Sequence, residues 1–156
     1  MKLSEKSQVL TQSNLPGVKE FSRGKVRDLY SLDSGLLVIA TDRISAFDVV
    51  LPQGIPGKGC VLTQLSIFWL KNMGNIVPNH LITADVDKYP KELNQFRDQL
   101  EGRSMFVHQT KALPIECVAR GYLAGSGWKE YQSKGTVCGI PLPPGLRQSD
   151  PLPETI

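Results

Sequence analysis

Three short stretches carry the residue types that could do chemistry. The first is Arg23-Gly24-Lys25-Val26-Arg27-Asp28-Leu29-Tyr30. A glycine lets the backbone approach an anion closely, and exposed N–H groups beside it can donate to phosphate oxygens. If the stretch runs as a strand, Lys25 and Arg27 share one face and Val26 packs on the other. The spacing is not that of the common phosphate-binding loop, which needs a second glycine ahead of its lysine. A solvated hairpin end has the same composition, and the residues alone leave both readings open. The second stretch is Thr41-Asp42-Arg43-Ile44-Ser45-Ala46-Phe47-Asp48. Asp42 and Asp48 suit a cation or an amine, and Arg43 suits a carboxylate. An internally satisfied turn, with Asp42 and Arg43 as a surface pair, fits equally. The third contains Glu116, Arg120 and Ser126. Arg120 offers a planar fork to phosphate or carboxylate, and Gly125-Ser126-Gly127 opens a helix whose N-terminus attracts anions. An Arg–Glu pair beside an N-capping serine is the plainer alternative.

The elements that must position these groups can be read from periodicity. Gly24–Tyr30, a turn at Ser34-Gly35 and the apolar run Leu36-Leu-Val-Ile-Ala40 predict a β-hairpin with a buried second strand. The Thr41–Asp48 group therefore starts at a strand end, a usual place for functional loops. Gly54–Gly59 is a glycine- and proline-rich turn. Leu62, Leu65, Trp69 and Met73, widened by Val61 and Phe68, form a helical stripe that ends at Gly74 and is expected to be core. A shorter helix is expected from Pro90, with Leu93, Phe96 and Leu100 inward and Gly102 as its stop. Met105–Thr110 and Ile115–Ala119 read as strands. Pro114 interrupts the ladder between them, which suggests a hinge between lobes. The expected division is 1–112 and 113–156. Ser126 is expected to cap a short helix through Tyr131. The proline-rich tail, ending Leu152-Pro-Glu-Thr-Ile156, reads as loop and as part of a longer chain.

Bulk properties narrow the class. The 156 residues are 40% hydrophobic and 21% charged, an ordinary globular composition. The net charge of +3 is too mild to point to nucleic acid and is compatible with small anionic ligands. No apolar run approaches the ~20 residues of a membrane span, and the first residues have no signal-peptide core. Cys60, Cys117 and Cys138 are scattered, and His80 and His108 are isolated, which predicts neither a disulfide framework nor a zinc site. A reducing cytoplasm is the expected location.

Taken together, the motifs resemble the phosphoribosylaminoimidazole-succinocarboxamide (SAICAR) synthase family, over nearly the whole chain from Leu15. The resemblance rests on Arg23–Tyr30, Thr41–Asp48, Ile55-Pro-Gly-Lys-Gly59, Leu113–Ser126 and Pro151–Ile156, in that order. It implies an α+β fold with an antiparallel-sheet nucleotide-binding lobe, like those of kinases and ATP-grasp enzymes, and the start of a second lobe. It implies a carbon–nitrogen ligase of purine biosynthesis that joins L-aspartate to carboxyaminoimidazole ribonucleotide (CAIR), with ATP and Mg²⁺, through an acyl phosphate. By that resemblance Arg23, Gly24, Lys25, Val26 and Arg27 hold the ATP phosphates, and Lys111, Leu113 and Glu116 meet the rest of the nucleotide. Asp42, Arg43, Ser45 and Asp48 lie near the substrates, and Arg120 and Ser126 hold the ribonucleotide phosphate. No catalytic residue, metal ligand or oligomeric state is assigned. The family's second signature, Asp-x-Lys-x-Glu-Phe-Gly, is absent from these residues, so this chain alone is expected to have little activity. A small-molecule kinase of related fold, a nucleotide-binding module without chemistry, and a purely structural role remain as alternatives.

Overall fold

In the computed structural model, which describes residues 9–156, the chain forms two compact units divided between Lys111 and Ala112. The first is built on an antiparallel sheet of five strands, in the spatial order β1 (Lys19–Arg23), β2 (Arg27–Leu32), β3 (Gly35–Ala40), β7 (Ser104–Val107) and β6 (Leu81–Thr83). Strands β2 (Arg27–Leu32) and β3 (Gly35–Ala40) are the expected hairpin, joined at Asp33-Ser34. Burial alternates along β2, with Asp28, Tyr30 and Leu32 inward. They lie opposite or beside the fully buried Leu37 and Ile39 of β3, so one face of the hairpin makes the core. Strand β7 (Ser104–Val107) pairs with β3 and adds Phe106 to that face.

The Pro90 segment closes over the core as expected, with Leu93, Phe96 and Leu100 buried in it. Its helix is not continuous. Lys91–Phe96 is 3₁₀ and only Arg97–Leu100 (α2) is α-helical. Most of these residues are good helix formers, so the winding is set by how Leu93, Phe96 and Leu100 pack into the core and not by propensity.

Helix α1 spans Lys58–Met73; it begins inside the expected Gly54–Gly59 turn, and Gly74 follows it as expected. The packing side is not the expected one. Gly59, Cys60 and Thr63 are the buried residues, whereas Val61, Leu62, Leu65, Phe68, Trp69 and Met73 remain 38–58% exposed. The reason is a close approach. A Cβ on Gly59 would stand 2.1 Å from the Ala40 carbonyl oxygen, so the helix settles on β3 through its smallest residues. Among the described residues nothing covers the aromatic and leucine stripe.

Several elements had no sequence signal. Strand β1 (Lys19–Arg23) pairs with β2 and is exposed throughout, with an irregularity at Phe21. A miniature hairpin, β4 (Ser45–Ala46) with β5 (Val49–Val50), turns at Phe47-Asp48, both at positive φ. Strand β6 (Leu81–Thr83) borders β7.

The second unit, Ala112–Ile156, contains one helix, α3 (Gly125–Lys134), closed by Gly135 in the left-handed conformation. Ile115–Ala119 is not a strand. The segment is exposed and has no ladder partner among the described residues. The tail is more ordered than its prolines suggested. It holds a second small hairpin, β8 (Thr136–Val137) with β9 (Ile140–Pro141), turning at Cys138-Gly139. Further on it doubles back: Arg120 and Ile156 exchange backbone hydrogen bonds, the Leu123 N–H donates to the Asp150 carbonyl, and the Leu123 carbonyl accepts from the Ser149 N–H. Leu123, Val137 and Leu152 make the small core of this unit.

Candidate functional site

Gly24, Lys25 and Val26 form the turn between β1 and β2, not the start of a strand, so the expected shared face of Lys25 and Arg27 does not arise from pleating. The turn's geometry is set from inside. Its carbonyls all point toward the segment that follows β3. The Gly24 carbonyl accepts from Arg43 Nη2 at 2.8 Å and the Lys25 carbonyl from Arg43 Nε at 3.0 Å. The Val26 carbonyl accepts from the Thr41 N–H at 3.0 Å and the Thr41 hydroxyl at 2.9 Å. The Arg27 carbonyl accepts from the Gly24 N–H at 2.8 Å and from Arg43 Nη2 at 3.3 Å. The Gly24 amide is thus occupied within the turn. The side chain of Lys25 stands in solvent and forms an ion pair with Asp48 on the β4–β5 turn. The first two sequence motifs therefore do meet, through Lys25 and Asp48. Phe47, next to Asp48, is fully exposed. Ser45 lies half-buried in β4, and Arg27 is exposed at the start of β2.

Asp42 and Arg43 are engaged differently from either sequence expectation. They are not a surface pair, and neither carboxylate nor guanidinium is free for a ligand. Asp42 is buried and accepts from the Gly59 N–H, the Leu10 N–H and Arg103 Nη1, each at 2.9 Å. It thereby fixes the first turn of α1 to the end of β3. Arg43 also donates to the Thr11 carbonyl at 2.6 Å and to Asp28 Oδ1 at 2.7 Å. Asp28 is itself fully buried, and its other oxygen accepts from the Ser13 N–H at 2.9 Å and the Ser13 hydroxyl at 2.8 Å. Arg23 lies 3.4 Å from Asp28 through Nε and pairs with Glu20 at 2.6 Å.

These two buried carboxylates stay ionised. Burial alone pushes Asp28 up, but the hydrogen bonds from Arg43 and Ser13 outweigh it and hold its pKa below the usual carboxylate value. Burial likewise opposes ionisation of Asp42, and the Gly59 amide, Arg103 and the Leu10 amide together lower its pKa. Asp28, Ser13 and Arg103 were not singled out from sequence. Their partners lie 15 to 61 residues away, beyond any local spacing.

In the second unit the structure brings Arg120 and Ser126 together. Arg120 Nη2 donates to the Ser126 hydroxyl at 2.9 Å, and Nη1 reaches the Ala124 carbonyl at 3.4 Å. The guanidinium lies over Gly127, where a Cβ would come within 3.3 Å of it. The capping residue of α3 is Ala124, which has no side-chain acceptor, so Ser126 is a helical residue and not the expected cap. The first turn of a ten-residue helix, an arginine fork and a hydroxyl thus occupy one spot, a combination suited to phosphate. Glu116 and Leu113 are exposed in the irregular segment before it. Lys111 is exposed at the end of the first unit. No group of three or more His, Cys, Asp or Glu that could hold a metal forms among the described residues.

Comparison with known proteins bears directly on these motifs. The chain is 57% identical to the phosphoribosylaminoimidazole-succinocarboxamide synthase of Syntrophotalea carbinolica, over 95% of this chain and 50% of that protein. It is 55% identical to that of Thermodesulfovibrio yellowstonii, over 95% of this chain and 51% of that protein. The chain spans about half the length of the curated relatives it matches. Among solved structures, the SAICAR synthase of Saccharomyces cerevisiae in complex with SAICAR superposes with a TM-score of 0.86 at 46% identity, over 94% of this chain and 52% of that one. The match to the family described as SAICAR synthetase runs from residue 20 to residue 156, through the Gly24 turn, the Asp42–Asp48 segment and the Arg120–Ser126 pair, and the chain belongs to that family.

Proposed function

We propose that this chain serves the ATP-dependent ligation of L-aspartate to CAIR, which yields SAICAR, ADP and phosphate in purine biosynthesis in the cytoplasm. The observation that supports this most is the pairing of Arg120 with Ser126 at the uncapped N-terminus of α3 in a member of the SAICAR synthetase family. That arrangement suits the phosphate of a ribonucleotide. Lys25 and Arg27, exposed beside the Gly24 turn, suit the phosphates of ATP. Arg23 supports the same turn through Asp28. Lys111, Leu113 and Glu116 are proposed to contact the remainder of the nucleotide, and Ser45 and Asp48 the substrates. Residues to 111 are proposed as the nucleotide-binding lobe and the following ones as the start of a second lobe. Mg²⁺ is proposed to arrive with ATP, coordinated by the nucleotide's phosphate oxygens.

The chemistry explains the charge. A carboxylate resists attack by an amine because it is a delocalised anion. Transfer of the γ-phosphoryl group to a CAIR carboxylate oxygen releases ADP and leaves an acyl phosphate. The aspartate amine then adds to the acyl carbon, phosphate departs, and the amine gives up a proton. Every reactant is an anion, so cations and amides that gather them lower the repulsion between them.

Two expected results follow from these assignments. In titrations of the chain with CAIR, Arg120→Ala should weaken binding about 10- to 100-fold, the scale of a charge-assisted phosphate contact. Arg120→Lys should recover only part, because a point charge does not replace the fork. In titrations with Mg-ATP, Lys25→Ala should weaken binding about tenfold, the scale of one charge-assisted phosphate contact, while CAIR affinity stays unchanged. The reading as a whole is tested by ADP release from Mg-ATP and CAIR with and without L-aspartate, on a preparation of confirmed mass. Release that requires aspartate supports ligation, whereas release that ignores it would make the protein a kinase. The 156 residues alone are expected to bind ligands with little turnover, so near-absent release is the expected result and the CAIR and Mg-ATP titrations then carry the test: no binding of either ligand would overturn the reading.

A further inference from the structure

Among the described residues of the first unit, Arg43 is the most heavily engaged side chain, and its contacts are concentrated on one turn. It donates to the carbonyls of Gly24, Lys25 and Arg27, as well as to Thr11 and Asp28. Its side chain is only 11% exposed. With Thr41 holding the Val26 carbonyl, four consecutive carbonyls from Gly24 to Arg27 are drawn to the inside.

A trans peptide places its C=O and N–H on opposite sides, and the described backbone has no cis bond. Carbonyls held inward at Gly24, Lys25 and Val26 therefore turn the N–H groups of Lys25, Val26 and Arg27 outward. Three successive outward amides beside two cationic side chains make a concavity for an anion. Without the guanidinium, the carbonyl oxygens would be free to rotate toward the phosphates and repel them.

We propose that Arg43 is a positioning residue for the nucleotide: it does not touch ATP, but holds the Gly24–Arg27 turn with its amides facing the phosphates. This rests on the assignment of ATP phosphates to that turn. It also explains why the charge of Arg43 is matched by Asp28, which in turn is fixed by Ser13. The staple is neutral overall and leaves Lys25, which pairs with Asp48, and Arg27 as the cationic side chains at the turn. A lysine cannot substitute, since one ammonium cannot span carbonyls that the planar fork reaches through Nε and Nη2 at once.

The test measures amide hydrogen exchange and Mg-ATP affinity in the chain, in Arg43→Lys and in Lys25→Ala. Exchange is read at Gly24 and Thr41, whose N–H groups close the turn, and at Leu37 and Ile39 as core references. The expected result for Arg43→Lys is exchange faster by about tenfold or more at Gly24 and Thr41, little change at Leu37 and Ile39, and ATP affinity reduced about tenfold. Lys25→Ala should lower ATP affinity with unchanged exchange, which separates charge from positioning. Unchanged exchange at Gly24 and Thr41 in Arg43→Lys would overturn the staple. Faster exchange there with ATP affinity unaltered in Arg43→Lys, but lowered in Lys25→Ala, would overturn the link to the nucleotide while sparing the site. ATP affinity indifferent to both variants would overturn the assignment of the phosphates to this turn, and the proposal with it.

Discussion

Gly59→Ala should destabilise the protein by roughly 3 kcal/mol or more, read as a lower urea midpoint at unchanged slope. The added methyl would meet the Ala40 carbonyl oxygen at 2.1 Å and the Ala40 carbonyl carbon at 2.9 Å. These are backbone atoms at the end of a core strand, so no side chain can swing aside. Relief requires α1 to lift from β3. That would stretch the hydrogen bond from the Gly59 N–H to Asp42 and disturb the segment that carries Arg43. Gly74→Ala provides the contrast at the other end of the same helix. There φ is −59°, and an added methyl would stand 3.4 Å from the Lys71 carbonyl oxygen, an ordinary contact. That change should be neutral or stabilise by up to ~1 kcal/mol, as helix propensity predicts. Equal midpoints for the two variants would refute the close approach of α1 to β3.

The same contact explains where sequence reading stops. The β2–β3 hairpin was legible because Leu36–Ala40 is a continuous apolar run after a turn signal, and Tyr30, Leu37 and Ile39 indeed pack together. The existence and C-terminal end of α1 were legible from spacing and Gly74, while its start at Lys58 lies inside the segment read as a turn. Its packing side was not, because large apolar residues announce a helix face while the choice of face here depends on how closely Gly59 can approach Ala40. Strand β1 escaped because Lys-Glu-Phe-Ser-Arg, lying at a sheet edge, has charged ends and a single apolar side chain, as edge strands often do. Ile115–Ala119 has strand composition, but a strand needs a neighbour to pair with, and composition does not supply one.

For the candidate site, types and short separations were informative and long separations were not. Arg120 and Ser126 are six residues apart and bonded. Lys25 meets Asp48 because the two turns that bear them lie side by side, a pairing the β4–β5 hairpin produces without any composition cue. Asp42 and Arg43 stand out in the sequence as polar groups at a strand end. Only the fold reveals that Arg103 and Asp28 already consume them. A polar cluster read from sequence can thus belong to the frame of a site instead of its surface.

Asp42→Asn should be the most damaging change within that frame, with a loss of roughly 3–5 kcal/mol at pH 7, typical of removing one partner of a buried ion pair. The carboxylate accepts three hydrogen bonds, from Gly59, Leu10 and Arg103, all donors. An amide retains one oxygen and presents an NH₂ group to donors on its other side, and it leaves the buried Arg103 without a counter-charge. The pH dependence gives an independent check. The folded-state pKa of Asp42 lies below its unfolded value of about 3.9. Ionised Asp42 therefore contributes fully above that unfolded value, and the contribution is lost as pH falls through the folded pKa. Urea midpoints taken from pH 7 down to pH 3 should show the gap between wild type and Asp42→Asn wide at neutral pH and narrowing below about pH 4. Asp28 shifts in the same direction and is intact in the variant, so the variant should keep part of the acid sensitivity. A gap that stays constant across that range would mean that the charge on Asp42 is not what holds Gly59, Leu10 and Arg103 together.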